Sequence, residues 1–269
     1  MKRKRKNKVT EQMANKKGVL TVYLTLRFLV LLTLVLRILA RDYESSLICV
    51  LTLVLMTMPS ILERRLRIVL PDALEIVILL FIFAAEILGE IREFYVLVPH
   101  WDTVLHTING FLFAAIGFCM VNLLNNDPNT AMDLSPFYVA VAAFCFSMTI
   151  GVLWEFFEFF SDLILGTDMQ KDFIVSSITS VALDPTKTNT CVNIANITDT
   201  IVNGQNLGIN GYLDIGLIDT MKDLLVNFVG AVIFSIIGYF YIKSRGKNKF
   251  AKRFIPTIRE KDNLDDTKE

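Results

Sequence analysis

Long apolar runs alternate along this chain with short polar breaks. A helix rises about 1.5 Å per residue, so about 20 apolar residues cross a hydrocarbon core. Six stretches fit that length: residues 19–39, 46–62, 70–88, 103–124, 136–157 and 221–242. The second is short and ends near Pro59, which leaves a tilted or re-entrant path open. The pattern predicts an all-α fold, a polytopic integral membrane helix bundle of about six transmembrane helices. The long polar stretch 162–220, with Gly204, Gly208, Gly211 and Gly216 among Asn, Thr and Asp, reads as a small cap or a segment lying on the membrane.

Charge then orients the bundle. The chain opens MKRKRKNK, ERRLR occupies 63–67, and the stretch after 243 is again basic. The alternate loops carry only Arg41, Arg92, Lys171, Lys187 and Lys222, and the 125–135 loop has no Lys or Arg. Positive loops stay in the cytoplasm, so both termini are expected there, and an even number of spans agrees. The expected organisation is a basic cytoplasmic segment 1–18, a transmembrane domain 19–242 with the outer loop 162–220, and a charged cytoplasmic tail 243–269 that is loose or helical at the surface.

Composition adds little beyond this. Hydrophobic residues make up 53% of the 269 and the formal net charge is zero, so KRKRK reads as a lipid-facing flank and no nucleic acid is expected as partner. The first apolar run is too long for the core of a cleavable signal peptide and reads as a retained span. Cys49, Cys119 and Cys145 lie in apolar runs and Cys191 in the polar loop, without CxxC spacing, so neither a zinc site nor a disulfide framework is indicated. The expected location is a bacterial inner membrane, where the acceptor-like Asn196-Ile197-Thr198 means nothing.

Ionisable groups at membrane depth are costly and need a partner or a purpose. Arg37 can snorkel outward, whereas the deeper Arg27 is expected in a structural ion pair. Asp72 and Glu75 are expected to cap the third helix. Glu86 and Glu90 close that span; Asp102 and His106 open the fourth; Glu155, Glu158 and Asp162 close the fifth; Asp219, Asp223 and Asn227 open the sixth. With the expected topology, all lie in one outer layer. Spacings of three and four put each set on one helix face. Gly110 and Gly230 lie beside these stripes, where small residues permit close helix approach.

Packed carboxylates repel one another unless protons or a cation neutralise them. Oxygen-rich sites suit magnesium, manganese or calcium, so Glu155, Glu158, Asp219 and Asp223 are candidate ligands for a divalent metal ion. A His beside a carboxylate is a common proton-transfer unit, which makes His106, Asp102 and Glu155 the candidate catalytic groups. Trp154, Asn227 and Asp162 are candidate substrate-binding residues. Trp101 and Trp154, with Tyr95, Phe156, Phe157, Phe159 and Phe160, read as an aromatic belt, and Trp154 could also wall a pocket. An inter-helix hydrogen-bond network is the purely structural alternative.

The ordered trio WDTVLHTINGF (101–111), GVLWEFFEFFSD (151–162) and DTMKDLLVNFVGA (219–231) resembles the YjdF-like family of bacterial inner-membrane proteins and, more distantly, the VanZ-like family. The resemblance implies a multi-pass membrane protein; the VanZ-like link to glycopeptide-antibiotic tolerance implies the cell envelope. Asp102, His106, Glu155, Glu158, Asp219, Asp223 and Asn227 carry over as the positions to test. Glu158 stands where VanZ-like proteins commonly have Gln, and the loop before Asp219 is longer. Three functions remain open: a membrane-embedded enzyme acting on a lipid or lipid-linked envelope substrate, a cation- or proton-coupled transporter, and a non-catalytic scaffold or sensor. The lipid bilayer is the expected partner, and the sequence leaves oligomeric state open.

Overall fold

The computed structural model describes residues 16–65, 68–125 and 132–258. Helices α1 (Lys17–Leu39), α2 (Tyr43–Leu55), α3 (Met58–Arg65), α4 (Asp72–Phe83), α5 (Phe94–Leu97), α6 (Trp101–Asn125), α7 (Pro136–Leu165) and α8 (Leu217–Lys243) dominate it. A π-helical segment, Ala84–Ile91, continues α4 without a break. Among the described residues, five helical stretches are long and apolar enough to cross a membrane: Lys17–Leu39, Tyr43–Arg65, Trp101–Asn125, Pro136–Leu165 and Leu217–Lys243. The second joins α2 and α3 across a turn at Met56 and Thr57, and Pro59, which brings no N–H, sits in the first turn of α3. The expected third span is α4 followed by the π turn.

The chain divides into two compact units, one of residues 1–150 with 226–269 and the other of 151–225. In the first, two apolar clusters form. Val19, Leu26 and Val30 of α1 meet Cys49 and Met56 and, from the third helical run, Leu79, Ile87 and Ile91. Leu74 of α4 packs with Leu112, Ala115 and Phe118 of α6, with Val139 and Ala143 of α7, and with Phe234 of α8. Val22, Tyr23 and Leu34 pack partly against the α1 cluster, and the other large apolar side chains of α1, from Leu20 to Leu39, are widely exposed, as lipid-facing surfaces are.

Polar groups fasten the ends of these helices. Lys16 Nζ donates to Glu63 Oε1 at 3.0 Å and Glu75 Oε2 at 2.9 Å, tying the start of α1 to α3 and α4. Asp72 and Glu75 both lie in the first turn of α4, where the helix dipole favours negative charge. Arg37 reaches the end of its helix as expected, bonding Asp42 Oδ2 at 3.0 Å and the Ile91 carbonyl at 3.2 Å. The expectation for Arg27 fails. Its guanidinium donates to the Tyr23 hydroxyl, and among the described residues no carboxylate pairs with it.

The stretch after α8 also departs from the loose tail expected. Gly246 in the left-handed region (φ +71°) turns the chain, Ala251 and Ile255 become fully buried, and Phe254 packs edge-on against Phe111 at 5.5 Å. Thr257 of strand β8 (Thr257–Ile258) then pairs antiparallel with Val69 of strand β1 (Ile68–Val69). Apolar residues spaced through a basic stretch are what this packing uses. The remainder of the expected tail and the basic segment before residue 16 lie outside the described residues.

The second unit contains the end of α7, the start of α8 and the segment between them. That segment is a cap of three short antiparallel pairs: β2 (Ile174–Val175) with β7 (Tyr212–Leu213), β3 (Ile178–Ser180) with β4 (Val192–Ile194), and β5 (Ile201–Val202) with β6 (Gln205–Asn206). The β5–β6 hairpin turns through Asn203 and Gly204, both at positive φ, as a two-residue turn requires. Asp184 gathers the DPTKTNT loop: its oxygens accept from Thr186, Thr188 and Thr190, and the Thr186 hydrogen bonds hold its carboxyl well below the usual carboxylate range.

Candidate functional site

The second unit brings three acids together. Glu155 and Glu158 lie three apart on α7, and Asp223 lies on α8. One carboxylate oxygen from each falls within 4.8 Å of the others, and the residues are only 5%, 8% and 3% exposed. Trp154 Nε1 donates to Glu158 Oε1 at 2.9 Å, from the previous turn of the same helix. The other faces of α7 here carry Leu153, Phe156, Phe157, Phe159 and Phe160, each about half exposed. The indole thus joins a lipid-type surface to the acidic triad. Such a triad can hold a divalent cation or share protons; side chains of this charge rarely enter a low-dielectric interior unaccompanied.

Asp162 and Asp219, also singled out in the sequence, hold the strap that follows α7. Both Asp162 oxygens accept hydrogen bonds, from Thr167 Oγ1, Met169 N and Gln170 N, at 2.6–2.8 Å. Asp219 Oδ2 accepts from Lys171 N at 2.8 Å. Asp214, which the sequence reading passed over, completes the anchorage by accepting from Phe173 N at 2.6 Å and from Ile218 N in the first turn of α8. Its signal was local, an Asp just ahead of an apolar helical run. Lys222 lies 3.4 Å from the centre of the Phe173 ring. Asp172, inside the strap, is pushed above its ordinary value by burial and then by Asp168 and Asp214.

The first unit holds the imidazole. His106 is buried, and its Nε2 lies 3.5 Å from Asp102 Oδ1 one turn earlier on α6. Asn227, 1% exposed, directs Nδ2 to Met148 Sδ at 3.6 Å, and its Oδ1 has no hydrogen-bond partner among the described residues. The helix pairing there is backbone against backbone. A Cβ on Gly110 would stand 2.1 Å from the Asn227 carbonyl oxygen, and one on Gly230 would stand 2.0 Å from that of Thr107. Ser147 of α7 adds a hydrogen bond to the Gly110 carbonyl at 2.7 Å. The close approach expected at these two glycines is therefore present. Glu86 and Glu90 fall in the π segment, with Glu86 half-buried and Glu90 exposed.

A family model described as "Predicted membrane protein (DUF2238)" matches residues 21–244. No curated protein and no solved structure matches the chain.

Proposed function

The chain belongs to the DUF2238 family of predicted membrane proteins, and on that footing we propose that it is a metal-dependent enzyme of a bacterial cell membrane that acts on a lipid or lipid-linked substrate of the cell envelope. In this reading the chain crosses the membrane six times with both termini in the cytoplasm, following the Lys and Arg distribution. The resemblance to YjdF-like proteins supports the same setting.

The observation that carries the proposal is the buried triad of Glu155, Glu158 and Asp223, with oxygens within 4.8 Å and a lipid-type aromatic surface on the same helix. Three carboxylates are a hard, anionic donor set of the kind that magnesium, manganese or calcium takes. A bound cation would polarise a phosphoryl or acyl oxygen of the substrate. Glu155, Glu158 and Asp223 would hold the ion. Trp154 orients Glu158 and meets the apolar part of the substrate. Asp162, Asp214 and Asp219 fix the strap between the two ligand-bearing helices. Asp102 and His106 keep the role their spacing suggests, a proton-transfer pair.

The test is elemental analysis of the detergent-purified protein. Wild type should carry about one divalent ion per chain, and Glu158→Gln combined with Asp223→Asn should abolish it while the elution profile stays monodisperse. Absence of metal from wild-type protein, after purification without chelators, would end the metal reading. Incubation with an envelope lipid extract then separates enzyme from ion-binding protein. Mass spectrometry should show a lipid consumed by wild type with metal and spared after chelation; metal bound with no lipid changed would refute the enzyme.

A further inference from the structure

Arg27 raises a separate question. It lies ten residues into α1, about 15 Å from the start of the helix, at a depth where a guanidinium needs an anion. Among the described residues its hydrogen-bond partner is the Tyr23 hydroxyl. Tyr23 in turn lines a cleft of about 250 Å³ together with Thr57, Ser60, Ile61 and Arg64. The hydroxyl accepts from Arg27, so its own proton is left to donate into the cleft. Arg64, in the last turn of α3, is exposed and likewise has no carboxylate partner among the described residues. Its neighbour Glu63 is occupied with Lys16 and with the Leu70 N–H. The Thr57 hydroxyl donates to the Val54 carbonyl at 2.6 Å, and Ser60 is exposed. A guanidinium, a phenol and a serine therefore line one cleft, with Arg27 behind the phenol, and among the described residues no acid lines it. Around it, Leu20, Leu24 and Ile61 are about half exposed, as acyl-chain contacts are.

We propose that this cleft binds the phosphate of an anionic phospholipid, with Arg64, Ser60 and Tyr23 as donors and Arg27 supporting Tyr23 from behind. A guanidinium presents paired N–H donors that match phosphate oxygens, and a headgroup at the end of α1 keeps its acyl chains along the exposed leucines. With the termini in the cytoplasm the lipid belongs to the inner leaflet, whose anionic surface attracts basic side chains. The proposal rests on residues of the first unit alone and stands whether or not the acidic triad is catalytic.

Native mass spectrometry of the full chain from mixed phosphatidylglycerol and phosphatidylcholine nanodiscs tests it. Wild type should retain phosphatidylglycerol preferentially, and Arg64→Gln should lower that preference roughly fivefold, the effect of one basic residue near a charged bilayer. Tyr23→Phe, which keeps the volume and removes the donor, should lower it as well and guards against a misfolded arginine variant. Arg65→Gln, the same charge change on a residue that does not line the cleft, should leave it unaltered. Equal loss in Arg65→Gln would show general surface attraction and overturn the site. Unchanged retention in Arg64→Gln and Tyr23→Phe would do the same, and displacement of the lipid by millimolar inorganic phosphate would reassign the cleft to a free anion.

Discussion

A single carbon added at Gly110 would press on the carbonyl oxygen of Asn227, and one at Gly230 on that of Thr107. Both obstacles are backbone, which cannot swing aside as a side chain does. Gly110→Ala and Gly230→Ala should each destabilise the protein by about 1–3 kcal/mol, the usual cost of overpacking. Gly18 provides the control, since a Cβ there meets nothing within 4 Å. Gly18→Ala should hold or slightly raise the melting temperature, measured in the same detergent by intrinsic fluorescence. At this scale the sequence was informative where chemistry is local. The spacing of Glu155 and Glu158 on one helix face was readable, and so was the value of glycine beside the polar stripes. The roles of Asp162 and Asp219 were less legible, because their partners are backbone N–H groups of a loop whose path no periodicity announces.

At the scale of elements, hydropathy located the long apolar helices, because a bilayer dictates length and composition together, but it ended the fifth at 157 where the helix runs on to Leu165. It could not show that the third run changes from α to π winding at Ala84, since both windings suit the same apolar residues. Nor could it show that the basic stretch after α8 returns to the core, because Ile255, Phe254 and Thr257 find partners far away in sequence. The burial of Ile255 makes that return testable. Ile255→Ala should cost about 2–4 kcal/mol through lost contacts and the cavity left behind. The same change at the exposed Phe250 should cost little. Chemical denaturation of the two variants in one detergent decides; equal, small losses would mean that the segment is not part of the core.

For the whole molecule, the cysteines offer a test of orientation without engineering. Cys191 lies exposed in the cap, whereas Cys49 and Cys119 are buried and Cys145 is exposed along a membrane-type helix, where a water-soluble reagent does not reach it. With the cap on the outer face, a membrane-impermeant maleimide should modify intact cells at Cys191 alone, and Cys191→Ser should abolish the signal. Labelling that appears only after lysis would invert the bundle. The interlocked glycines of the first unit bear on how such a bundle can move. With α6 and α8 meeting carbonyl to Cα, neither can slide by a turn past the other without driving one backbone through another, and a hydrogen bond from Ser147 ties α7 to the same spot. They form a fixed stator, so any working stroke in this unit must fall to the helices that lack such a clasp.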